Sequence, residues 1–346
     1  MTKALFAVLL IFSLFLPASA LEIQAPTVPR SGESRMPQNT ESFGDALLEL
    51  LENSIRWIRP ELETAVTLST EILLAALLFS LLPLLTEKIT GPVSIAGTAA
   101  IAGRMFQHTD TMIRCASDTV WEICEYGKLL CPVLTTALAA QGGITASAAL
   151  YTGTTAFLAL LSMLVSRWIV PMIYLFLLLS IASSAVGGEI LKKFADGVKS
   201  VLHWLLKSLL IVFTTYLSIT GVVTGTTDAA ALKATKVMVS TAVPVVGGIL
   251  SDASESVLVS LGVLKNAAGI YGILAVLAVF LGTFLKVGIQ YLLLKASAAL
   301  CSLFGAKNIT ALVDAFSASM GLLVALVAVS CVLVLISTVC FLRGQG

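Results

Sequence analysis

Long apolar runs alternate with short stretches in which charged and apolar residues interleave at helical spacing. Seven runs have the length and apolar content of membrane-spanning helices: residues 66–85, 144–165, 168–186, 207–225, 267–285, 287–304 and 319–341. A helix rises 1.5 Å per residue, so about 20 residues cross a 30 Å hydrocarbon layer. Two weaker runs, 92–103 and 131–143, are short and rich in Gly, Ala and Thr. They cross, dip in and return, or pack inside the bundle. The pattern predicts an all-α, polytopic transmembrane helix bundle of seven spans, or nine if both weak runs cross.

Three stretches are amphipathic rather than apolar. Residues 104–128 carry Asp110, Arg114, Asp118, Glu122 and Glu125 among Met105, Ile113, Val120, Trp121 and Ile123. Residues 189–202 carry Lys192, Lys193, Asp196 and Lys199, and residues 226–242 carry Asp228, Lys233 and Lys236. Helices along the interface are one reading and ordinary connecting helices the other. Between 129 and 188 the only charge is Arg167, read as a tight turn between two spans.

The first 20 residues read as a signal peptide. Lys3 supplies the positive start, residues 4–16 the apolar core and Ala18-Ser19-Ala20 the cleavage site. An uncleaved first anchor is the alternative. Residues 21–64 then form an extracytoplasmic tail, and residues 65–346 the transmembrane domain. Pro26, Pro29, Gly32 and Pro37 predict a flexible segment over 21–40. Over 43–58, Leu47, Leu50, Leu51, Ile55 and Ile58 alternate with Glu49, Glu52, Asn53 and Arg56, an amphipathic helix. It lies on the outer membrane surface, against a partner, or under the membrane domain.

Composition agrees. Hydrophobic residues make up 58% and charged residues 12%, against about 25% charged in soluble domains. A net charge of +1 leaves no basic field for nucleic acid. The six cysteines, Cys115, Cys124, Cys131, Cys301, Cys331 and Cys340, form no C-x-x-C pair and read as small packing residues. With only His108 and His203, and no P-loop, dinucleotide or nucleophile-elbow motif, the chain is expected to carry no metal, cofactor or catalytic residue and not to be an enzyme. Lys192, Lys193, Lys199 and Lys207 make the densest positive segment, which the positive-inside rule places in the cytoplasm. Seven spans from an outer N-terminus put that segment and the C-terminal Arg343 inside.

Two stretches resemble each other 117 residues apart, with Tyr174/Tyr291, Ser180/Ser297 and Gly188/Gly305 coinciding and Asp196 or Asp314 following. Upstream, Cys131-Pro132-Val133 matches Val243-Pro244-Val245. The halves, 131–225 and 243–341, would each hold one broken or re-entrant segment and three spans. An odd number of spans makes them opposite in orientation, a 3+3 inverted repeat of the kind found in transporters. Chance similarity between apolar helices is the alternative. The breaks would fall at Pro132 with Gly142-Gly143 and at Pro244 with Gly247-Gly248, the candidate gating positions. Lys295 sits mid-run, where a lone ammonium costs about 2.5–3.5 kcal/mol on insertion scales. Asp252 and Glu255 could pair with it, or stand as surface charges at the interface.

Thr227-Asp228, Lys233-Ala234-Thr235-Lys236, the run from Val243 to Gly248, Asp252-Ala253, Ser256-Val257 and Leu264-Lys265-Asn266-Ala267-Ala268-Gly269-Ile270 stand in an order and spacing that resemble the stage III sporulation protein AE family. The resemblance covers residues 86–346 and is most specific over 226–272. The tail is shorter and more proline-rich than the family leads one to expect. The resemblance implies a multi-pass protein of the mother-cell membrane around the forespore in endospore-forming bacteria. It would serve in a channel or secretion-like assembly needed for forespore development after engulfment. Implied partners are the other stage III sporulation A-operon proteins, including ring proteins and a secretion-type ATPase, and indirectly the forespore stage II protein Q. The family supplies no catalytic residue to carry over. An autonomous inverted-repeat secondary transporter of a small solute is the other reading.

Overall fold

The computed structural model describes residues 26–37, 43–85, 90–140, 144–186, 188–242, 247–305 and 307–343, with the backbone alone for 79–85, 90–95, 219–242, 247–266 and 343. The signal segment, Gly142, Gly143 and Pro244 lie outside the described residues. Those residues form helices and no strand. A short α1 (Arg30–Glu33) precedes α2 (Phe43–Trp57) and α3 (Arg59–Leu85). Then come α4 (Thr90–Ala140), α5 (Ile144–Leu164), a π-helical turn (Val165–Ile169) and α6 (Val170–Val186). Last are α7 (Glu189–Ala242), α8 (Gly247–Leu303) and α9 (Lys307–Arg343).

Five helical stretches among the described residues are long and apolar enough to cross a membrane: Ala96–Ala140, Ile144–Val186, Glu189–Ser218, Ala267–Leu303 and Lys307–Leu342. Two pairs of the seven runs merge because the turns expected at Arg167 and Lys286 are continuous helix, while part of the run 66–85 has its backbone alone described. Arg167 does not mark a turn; it sits in the π-helical turn that joins α5 to α6. The extra residue in such a turn offsets the helix without breaking it. Lys286 does not separate two spans either, because α8 runs through it and its Nζ meets Glu61 Oε1 of α3 at 2.7 Å. The weak runs 92–103 and 131–143 and the amphipathic stretch 104–128 merge largely into α4, which carries Pro132 inside it. The other two amphipathic stretches, 189–202 and 226–242, are the two ends of α7.

The tail is not flexible throughout. Residues 26–37 dock on α8, with Gly32 against the Val279 backbone and Arg35 buried beside Gly282. Pro29 stands before α1, and its carbonyl accepts the Gly32 N–H at 2.9 Å. Its fixed φ lowers the entropy lost when the arm orders. The amphipathic α2 forms as its spacing predicts. Only a narrow seam, Ala46, Leu50 and Ser54, is buried, and it faces Leu274 and Ala278 of α8. Leu48, Leu51 and Ile55 stay exposed on the flank.

In the interior α8 and α9 form an antiparallel hairpin, and α4 lies against both. Gly127 of α4 leaves room for Leu158 of α5 and Val334 of α9 to press on its backbone. Phe157 and Phe213 stack at 4.1 Å and join α5 to α7. Much of the outer surface is apolar, including Leu74, Ile144, Leu178 and Trp204. Lipid contacts such side chains as well as protein does, so association rests on close packing and interhelical hydrogen bonds worth about 0.6–2 kcal/mol each. Thr119 to Thr283 at 2.7 Å is one such bond between α4 and α8.

A second hairpin, α6/α7, stands beside α8/α9. The turn end of each hairpin lines one cavity. The helices α6 and α8 therefore both run toward it, and α7 and α9 both run away. The inverted arrangement expected from the repeat is corrected here: these hairpins are parallel. The odd span count had required a turn at Lys286, where the helix is continuous. The same geometry places Arg343 at the end of α9 opposite the lysine-rich turn ends.

Candidate functional site

The cavity between the turn ends has a volume of about 580 Å³. Its walls come from α6, α7, α8 and α9. From α7, Lys192, Asp196 and Lys199 recur at intervals of four and three, one face of a helix. From the other hairpin come Lys295 on α8 and Lys307, Thr310 and Asp314 on α9. Gly305, at φ +74°, makes the turn between α8 and α9 with a left-handed conformation that favours glycine. In the first hairpin the Ser183 hydroxyl donates to the Gly188 carbonyl at 3.3 Å.

Lys295 is paired. Its Nζ donates to Asp314 Oδ1 at 2.8 Å, across the hairpin. Asp252 and Glu255, which could have paired with it or stood as surface charges, lie in the first turns of α8, about 60 Å of helix away at 1.5 Å per residue. Asp196 has no such counterpart: the position that matches Lys295 in the first copy of the repeat is Leu178, which is exposed. The remaining lining cations, Lys192, Lys199 and Lys307, make no ion pair among the described residues. Four lysines against two aspartates leave the cavity positive. The Thr310 hydroxyl is buried and has no hydrogen-bond partner among the described residues.

Of the other positions singled out from the sequence, Pro132 faces outward from α4, which runs through it as helix. Gly247 and Gly248 open α8, so the segment they begin is helical from its first described residue. The structure thus brings together Lys295 with Asp314, and does not bring Pro132 to either.

A second polar cluster was not anticipated. Arg35 Nη1 donates to the Ala278 carbonyl at 2.9 Å, and its guanidinium lies 4.2 Å from the Trp57 ring centroid. Ser31 donates to Glu122 of α4. Burial pushes the Arg35 guanidinium below its ordinary value, while Cys115 and Glu122 act the other way; an arginine so placed stays charged. Cys115, Thr119 and Thr283 line a cavity of about 480 Å³ beneath the arm.

The sequence match decides the family. The model of the family described as stage III sporulation protein AE matches residues 37–343. The chain belongs to that family. The stage III sporulation protein AE of Bacillus subtilis (strain 168) is 26% identical over 208 residues, which cover 60% of this chain and 52% of that protein. The chain thus spans about half the length of the curated relative it matches. No solved structure matches the chain. For this member of the stage III sporulation protein AE family, the repeat motif was the signal that could have found the cavity. It had already set Asp196 beside Asp314 and Gly188 beside Gly305. Nothing in the local sequence announced Arg35 as a buried residue.

Proposed function

We propose that this family member is a membrane component of the channel or secretion-like assembly linking mother cell and forespore, needed for forespore development after engulfment. The family match over residues 37–343 carries this reading. Five long apolar helices suit a protein embedded in the mother-cell membrane around the forespore. The partners would be the other proteins encoded with it, ring proteins and a secretion-type ATPase, with the forespore stage II protein Q reached indirectly. The protein would act by shape and charge rather than by catalysis. The lysine-rich turn ends would face the mother-cell cytoplasm. The docked arm, some 35 Å along α8 from its turn end at 1.5 Å per residue, would face outward. The autonomous transporter drew its support from opposed halves, which two turn ends at one cavity do not favour.

Deletion of the gene in its endospore-forming host tests the proposal. Engulfment should finish and forespore development should then stop, with loss of heat-resistant spores. Normal spore yield from a clean deletion would sink it.

A further inference from the structure

We propose that the cavity between the two hairpin turns holds the phosphate of an anionic phospholipid headgroup. Two observations point to this ligand chemistry. Lys295 and Asp314 neutralise each other, so Lys192, Lys199 and Lys307 face the cavity against Asp196 alone. An oxyanion would supply the counter-charge. Thr310 lines the same wall, and its hydroxyl, without a partner among the described residues, is a hydrogen-bond donor at the cavity's edge.

The rim separates a lipid from a free anion. At the turn ends Val186 and Leu303, next to the lining residues Ser184 and Ser302, expose 77% and 78% of their surface. A soluble phosphate would gain nothing from them. Acyl chains would cover them while the headgroup sat among the lysines, the arrangement of basic pockets between membrane helices that hold acidic lipids. The aliphatic stems of the lysines add to the apolar wall while their ammonium groups reach the phosphate. The site rests on the membrane setting and not on the sporulation assembly, so the purified full-length chain tests it alone.

The experiment adds dioleoyl phosphatidylglycerol or dioleoyl phosphatidylcholine to the detergent-solubilised protein and counts retained lipids by native mass spectrometry. One phosphatidylglycerol should be held about tenfold more tightly than phosphatidylcholine, since each lysine near an anionic headgroup contributes about 1 kcal/mol. Lys192→Ala and Lys307→Ala should each weaken that binding about fivefold. The double variant with arginine at both positions should restore it, which a merely unfolded variant could not do. Lys193→Ala, one residue along α7 but outside the cavity wall, should leave it unchanged. Equal retention of the two lipids, or unchanged binding in the double alanine variant, would overturn the proposal. Displacement of phosphatidylglycerol by ~10 mM inorganic phosphate would overturn the lipid as source, because a site built for a free anion has no use for the rim.

Discussion

Lys295 shows how a charge within an apolar helix is reconciled with its surroundings. It lies ten residues before Gly305, and Asp314 lies nine after it, so an antiparallel hairpin turning at Gly305 sets the two level. The 2.8 Å contact follows from that register. The side chains remain about half exposed, 59% and 48%, so in water such a pair would be worth little. Against lipid the balance differs, because either charge left alone must find water or another partner. Asp314→Ala should therefore lower spore yield about tenfold or more, and Lys295→Asp should do the same. Combining Lys295→Asp with Asp314→Lys should restore much of the yield. Spore counts alongside membrane abundance check this; a swap no better than either single change would remove the pair from the account. The lysine was legible in the sequence because it interrupts an apolar run. Its partner was not, because Asp252 and Glu255 were the candidates for pairing, while Asp314 was noticed as a repeat position and not as a counter-charge.

Elements were legible where periodicity alone defines them. The α2 helix spans Phe43–Trp57 against a reading of 43–58, because apolar and charged residues alternate cleanly there. Boundaries drawn from single charges failed. Lys286 looked like the end of a span, yet Glu61, 225 residues away in sequence, neutralises it inside the bundle. Arg167 likewise sits in a π-helical turn within continuous helix. No local pattern reveals a partner that distant. The arm was misread for a related reason: three prolines and a glycine suggest flexibility until a receiving surface exists. Gly32 is the contact that admits it, since a Cβ there would stand 2.8 Å from Val279 Cγ2 and 3.1 Å from the Val279 backbone nitrogen. Backbone cannot step aside as a side chain can. Gly32→Ala should therefore lift the arm. Arg35 is 5% exposed, so trypsin should cut after it slowly in the purified wild type and several-fold faster in Gly32→Ala. Trp57→Ala, which removes the ring beneath Arg35, should act in the same direction. Equal cleavage rates in all three proteins would show that the arm is not held by these contacts.

At the scale of the molecule, the all-helical class and the membrane setting were legible because a charge fraction of 12% leaves no other solvent for so much apolar surface. The direction of the halves was not, since it depends on parity, and one mistaken turn reverses it. Between Gly188 and Gly305 the chain runs away from the cavity along α7 and returns to it along α8, so both turns reach the same cavity. An even number of passes keeps two turns on one side of a membrane whatever the tilt of the helices. Lys193 and Asn308 should then share a side, and the far end of α9 at Arg343 should lie on the other. Positive charge favours the cytoplasm for the turn ends, which carry Lys192, Lys193, Lys199 and Lys307. Single cysteines in a background lacking the six native ones test this in intact protoplasts with a membrane-impermeant maleimide. Lys193→Cys and Asn308→Cys should both be protected, and Ser34→Cys and Arg343→Cys should both be labelled. Labelling of Asn308→Cys with protection of Lys193→Cys would restore opposed halves, and with them the case for an inverted-repeat transporter. Protection of Arg343→Cys together with Lys193→Cys would mean that α9 does not cross once from its turn end, and would return the C-terminus to the cytoplasm.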